Sequence, residues 1–172
     1  MLTFLHRRLT AGLLALALIA GLAPLASAAP NYITAAKTQR LQVIADTIKG
    51  LTYAASTGTA SAPSLVIGSS SFVTTQGTTG VTSSTTGVCA IIPLPVAGIS
   101  VSGTQLSLES SAQSANPVAS CTAANAAVIT NAGVIAIGSL TVGTSSADIV
   151  VNTTTVATGV PFTVNSAVIN HP

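Results

Sequence analysis

The sequence predicts a mainly β protein, a single sandwich-like or partly rolled antiparallel β domain with one N-terminal amphipathic helix packed on it. Three observations lead there. Beyond residue 50 the chain breaks into short apolar runs separated by Gly, Pro, Asn and Ser, the punctuation of strands and tight turns. One stretch alone, Tyr32 to Ile48, carries convincing helical spacing. Val, Ile and Leu recur throughout, whereas disordered segments are poor in them.

The first element is a leader. Arg7 and Arg8 precede LTAGLLALALIAGLAPLASAA, an uncharged apolar run, and Ala26-Ser27-Ala28 supplies the small-residue A-x-A site of a secretory signal peptide. Cleavage is placed after Ala28, with the bond after Ala29 as the alternative. This divides the chain into a signal peptide (1–28), an N-terminal amphipathic helix (29–50) and a β-rich domain (51–172). A transmembrane anchor is the competing reading, because LTAGLLALALIAGLAPL approaches the length that crosses hydrocarbon. Gly21 and Pro24 interrupt that run near its end, however, and the cleavage site follows at once. No membrane attachment is then expected after cleavage.

Removing the leader abolishes the net charge of +2. Lys37, Arg40 and Lys49 remain against Asp46, Glu109 and Asp148, three of each sign in residues 29–172. Soluble domains usually have about a quarter of their residues charged. A surface this poor in charge suits a subunit that packs into an assembly or a matrix, a homo-oligomer or an envelope partner, and equally a secreted domain kept soluble by Ser, Thr and Asn. Nucleic acid is excluded as a partner, since no basic patch survives processing and Tyr32, Tyr53, Phe72 and Phe162 are too few aromatics for a stacking platform.

Helical spacing places Leu41, Ile44, Ala45 and Ile48 on one face, with Lys37, Gln42, Asp46 and Lys49 on others, and Gly50 as the C-terminal cap. Residues 51–63 read as a loop. Ser64 to Ile67 is a short strand, and Ser69 to Ser84, dominated by hydroxyls and Gly, is a flexible loop or a weak hairpin. Val88 to Pro95 is an apolar strand whose Pro93 and Pro95 argue for a sheet edge. Ile99–Val101 and Gln105–Leu108 flank Ser102-Gly103-Thr104 as a hairpin. Val118 to Ala123 forms a strand carrying Cys121, and Ala126–Thr130 and Val134–Val142 flank an Asn131-Ala132-Gly133 turn. Residues 143–147 turn into Asp148–Val151. In the closing strand, Val160 to Ile169, simple alternation puts Phe162, Val164, Ser166 and Val168 on one face.

Cys89 and Cys121 are the only cysteines. In an oxidising compartment an even pair implies one disulfide, which by closing so long a loop stabilises the fold by roughly 3 to 4 kcal/mol.

Catalytic equipment is absent from the pattern. The exported part has one histidine, His171, next to the last residue, whereas a hydrolytic triad needs a base beside a nucleophile. Asp46, Glu109 and Asp148 carry no paired-carboxylate motif, and neither an EF-hand loop nor H-E-x-x-H occurs. No catalytic, metal-binding or cofactor-binding residue is therefore assigned, and no small-molecule cofactor is expected. Asp148 is expected to accept hydrogen bonds from the backbone of the preceding turn. Asn152-Thr153-Thr154 matches a glycosylation acceptor, relevant only in a host with that machinery.

Three stretches, AAKTQRLQVIADTI, PLPVAGISVSGTQLSL and ITNAGVIAIGSLTVGTSSADIVVNTTTVATGVPFTVNSAVINHP, occur in this order. In this the chain resembles a family of small, mostly uncharacterised structural proteins of tailed phages and prophages. Gly138 to Pro172 is the most specific part, and the helix residues Gln39, Arg40, Leu41 and Val43 to Ile48 match more loosely. The resemblance implies a virion- or tail-associated packing role and no catalytic residues. The leader and the cysteine pair depart from it, which implies a relative recruited for life outside the cytoplasm or a secreted protein sharing the fold. The expected function is thus that of a secreted, periplasmic or cell-surface structural protein, self-assembling or surface-associated. The alternatives are a glycan- or surface-binding module using Ser69–Ser84, and a phage structural component.

Overall fold

A computed structural model describes residues 33–51, 62–109 and 113–170. The expected leader, most of the expected 51–63 loop, and His171 lie outside the described residues.

Helix α1 spans Thr34–Ile48. It ends because Gly50 adopts φ +71°, a left-handed conformation that costs glycine little. There the Gly50 N–H donates to the Thr47 carbonyl and the Leu51 N–H to the Asp46 carbonyl, a complete Schellman closure. Leu41, Ala45 and Ile48 are buried in the main core and Ile44 packs against it, the face that the spacing predicts. Asp46 departs from expectation. It is only 1% exposed, and the Gln42 side-chain amide donates to its carboxylate at 2.9 Å, so the buried charge has a partner one helical turn away.

The strands are β1 (Ser64–Gly68), β2 (Val88–Pro93), β3 (Ser100–Ser102), β4 (Gln105–Glu109), β5 (Gln113–Ala115), β6 (Cys121–Thr122), β7 (Asn125–Ile129), β8 (Ile135–Gly143), β9 (Ile149–Val151), β10 (Thr155–Val156) and β11 (Phe162–Asn170). Among the described residues nine of them form one sheet in the order β2-β1-β7-β8-β9-β11-β4-β3, with β5 also pairing to β11. β4 and β5 lie end to end along the same edge of β11. β6 and β10 make a separate two-stranded ribbon. Helix α1 packs on β3, β4 and β8, where the Thr38 hydroxyl donates to the Gly103 carbonyl at 2.6 Å.

The sheet curls because β8 is bulged twice. Ala126 and Val128 of β7 face Leu140 and Ile137, so Gly138 and Ser139 together oppose one residue, with Ser139 at φ +57°. A second slip follows beside Ile135–Ile137. Such bulges bend a strand and sharpen its twist. The N-terminal part of β8 thus pairs with β7, while its last residues turn to pair with β9. That pairing is parallel, Val142 with Ile149 and Gly143 with Val150, although only residues 144–148 connect the strands. Parallel neighbours ordinarily need a long crossover. Here the ladder is two residues long, and Asp148 closes the return: its carboxylate accepts from the Thr141 N–H (2.9 Å) and hydroxyl (2.7 Å). Asp148 thus accepts from a backbone N–H as expected, but the donor is Thr141 within β8 and not the turn that precedes Asp148.

Two apolar clusters result. The main core lies inside the curl and gathers Leu65, Ile67, Ile92, Leu94, Leu106, Leu108, Val128, Ile149 and Phe162, with Val156 of β10 and Ala123 just after β6. The second lies on the other face of β1, β7 and β8 and contains Val66, Phe72, Val81, Val88, Ala127, Ile129 and Ile135. The Ser69–Ser84 stretch, expected as a flexible loop or weak hairpin, forms no strand but covers this second face. Phe72 and Val81 are its buried anchors. The Gly77 N–H donates to the Ile135 carbonyl, the Ile135 N–H to Thr78, and the Val81 N–H to Gly133, so the segment lines the edge of β8 that β7 leaves free.

Two other expectations need correction. In β11 the register slips at Asn165, between Val164 opposite Val151 and Ser166 opposite Val150. Phe162, Val164 and Ala167 therefore point into the core, while Ser166 is exposed and Val168 only half-buried. Simple alternation fails because one extra residue reverses the phase. The strand expected over Val118–Ala123 is reduced to Cys121–Thr122, because the Val118 and Ala119 N–H groups both turn to the Cys89 carbonyl.

Candidate functional site

β2 is the end strand of the curled sheet, as Pro93, which has no N–H to donate, requires. The curl brings β5 alongside it, so the sheet approaches closure into a barrel along a seam between β2 and the chain that leaves β5. That seam is held in two ways. The Cys89 carbonyl accepts from the Val118 N–H (2.8 Å) and the Ala119 N–H (3.2 Å). Cys89 is also joined to Cys121 by a disulfide, with Cα atoms 6.0 Å apart and a sequence separation of 32. The expected bridge is present, and it ties the main sheet to the β6–β10 ribbon. Cys89 is fully buried and Cys121 half-buried. The ribbon is further fixed by the Ala123 N–H on the Thr154 carbonyl and by the Thr158 N–H on the Ser120 hydroxyl at 3.0 Å.

Among the described residues three edges of the main sheet are covered or short. The residues after β5 cover β2, and residues 74–82 cover the first half of β8, where the Gln76 amide also reaches the Ala136 carbonyl. β3, at the far end of the sheet, is only three residues long.

The three carboxylates sit on three different elements. Asp46 is buried in α1, Asp148 is engaged with Thr141, and Glu109 ends β4. Among the described residues no group of three or more His, Cys, Asp or Glu could hold a metal ion, and no helix is long and apolar enough to cross a membrane. Asn152 of the glycosylation triplet is exposed, but its side-chain oxygen accepts from the Thr163 N–H at 3.0 Å and extends the β9–β11 pairing.

One open groove, of about 290 Å³, lies where the covering segment meets the β7–β8 turn. Ser64, Val81, Thr82, Ile129, Thr130 and Asn131 line it, an uncharged wall of hydroxyls, one amide and two aliphatic side chains. Sequence reasoning marked the Ser69–Ser84 stretch but missed the groove, because its other wall comes from residues some fifty positions later. Comparison with protein-family models, with curated proteins and with solved structures finds no match.

Proposed function

We propose that this chain is an exported, non-catalytic structural or surface-associated protein that packs with copies of itself or with an envelope partner. The observation that carries the reading is its charge: three residues of each sign in residues 29–172, in a chain rich in Ser, Thr, Ala and Gly. Such a surface offers almost no like-charge repulsion between copies. The leader supports export. The disulfide supports it too, since such bonds persist where thiols are not kept reduced. The order of the three sequence stretches, read as a resemblance to tailed-phage structural proteins, is a further ground for proposing a packing role.

The test is a concentration series of oxidised protein in residues 29–172, followed by sedimentation velocity and negative-stain electron microscopy. Ordered particles, filaments or layers at micromolar concentration are expected. A dispersed monomer that also fails to associate with isolated envelopes would contradict the reading. The groove favours one second reading, binding of a neutral glycan, because its polar groups carry no charge. Shifts of the Thr82, Thr130 and Asn131 amides on titration with oligosaccharides would support it, and unperturbed spectra at millimolar ligand would remove it.

A further inference from the structure

The strap between β5 and β6 crosses the outer edge of β2 and contributes little to the core. Val118, Ala119 and Ser120 are exposed; only at Pro117 and at Ala123 beyond β6 does it become buried. Across the seam it is held by two backbone hydrogen bonds to one carbonyl and by one covalent bond. The sheet beneath is held differently, by continuous antiparallel ladders β2-β1-β7-β8 and by apolar clusters on both faces. Residues 120–123 keep their bonds to β10 and its flanks, so without the covalent bond the strap, among the described residues, is hydrogen-bonded to β2 only through the Cys89 carbonyl, and the two halves of the bridge differ in access. A thiolate reaches half-buried Cys121 before fully buried Cys89.

We propose that the Cys89–Cys121 bond is a redox latch on the barrel seam, whose reduction by a dithiol frees the 116–123 strap and uncovers the β2 edge while the remaining sheet stays folded. In the opening step one thiolate of the dithiol attacks Cys121 Sγ. The Cys89–Cys121 bond breaks, and Cys89 leaves as a thiolate that takes a proton from water. The second thiol of the reductant, losing its proton, displaces Cys121 from the mixed disulfide. Two electrons pass to the protein, giving two protein thiols and one oxidised dithiol. The reverse exchange, with a disulfide-bearing oxidant, closes the seam, so the chain acquires its closed edge only in a compartment that supplies one. Export gives the latch its physiological direction. The latch itself is read on the isolated protein, whether or not that protein assembles.

The experiment compares oxidised protein, the same sample reduced with dithiothreitol, and the reoxidised sample, by amide hydrogen exchange resolved to peptides. Reduction is expected to raise exchange across residues 116–123 at least about tenfold more than across residues 125–137, where any rise measures the loop constraint, on the order of 100-fold, that the bond places on the unfolded chain. Reoxidation restores the original pattern. In the reduced sample iodoacetamide is expected to modify Cys121 at least about ten times faster than Cys89. A uniform rise over the whole sheet would make the bond a global staple and overturn the proposal. So would unchanged protection of the strap, or equal alkylation of the two thiols.

Discussion

Replacing Phe72 by Ala tests whether the hydroxyl-rich segment is a docked part of the fold. The ring is 3% exposed among Val66, Val81, Val88, Ala127, Ile129 and Ile135. It fills space left by a missing side chain: a Cβ on Gly68 would stand 2.6 Å from the ring atoms Cγ and Cδ1. Full burial of a phenylalanine contributes about 2 to 3 kcal/mol by transfer alone, and truncation to Ala in cores costs about 3 to 5 kcal/mol once the cavity is included. The lower end applies here, because the covering segment can settle into part of the vacated volume. We expect a loss of about 3 kcal/mol, read as a fall in the urea midpoint followed by far-UV circular dichroism of the oxidised protein, which contains no Trp. Amide exchange should locate the damage: the Gly77 and Val81 donors and the Ile135 donor on β8 lose protection first. Val73→Ala is the control, since Val73 is 62% exposed and should change stability by less than about 0.5 kcal/mol. A loss below about 1 kcal/mol with those amides still protected would refute the reasoning and leave the segment held by its backbone bonds alone.

Three further outcomes follow from the same packing. Gly138→Ala drives a Cβ into the Thr74 carbonyl and should cost about 2 kcal/mol or more, whereas Gly103→Ala meets open space and should cost only about 1 kcal/mol for its φ of +58°; thermal melts of the pair separate crowding from backbone strain. Asp148→Ala removes both acceptor contacts to Thr141 and should lower stability by about 1 to 2 kcal/mol, with Thr141 the amide whose exchange rises most. Ala167→Leu overfills the core and should cost about 1 to 3 kcal/mol, while Ser166→Leu is nearly neutral; the opposite ranking would place the β11 register slip elsewhere.

Where local chemistry decides local structure, the sequence was readable. Gly50 stops α1, Gly103 makes the β3–β4 hairpin, Gly133 makes the β7–β8 turn, and Pro93 keeps β2 at the edge. The disulfide followed from two cysteines and the expectation of an oxidising compartment. What escaped was set by distant parts of the chain. Ser69–Ser84 has no period to betray it, because only Phe72 and Val81, nine residues apart, enter an apolar cluster. The β11 phase turns on one inserted residue, Asn165, whose type does not announce a bulge. β5, β6 and β10 are two or three residues long, too short for alternation to register. Asp46 looks like a solvent-facing helix residue until the fold buries it. The seam belongs to this second kind: Cys89 marks a bridge, but only the curl of the sheet makes that bridge its closure.

The most direct test of the whole account is peptide mass spectrometry of cytoplasm, periplasm or envelope, cell-free medium and gradient-purified particles, recording the N-terminus and the Cys89–Cys121 linkage in each. A chain starting at Ala29 or Pro30, disulfide-linked and concentrated in an envelope or filament fraction, is the predicted result. An intact Met1 with two free thiols, confined to cytoplasm or to virions, would contradict export and leave a phage structural component as the reading that stands.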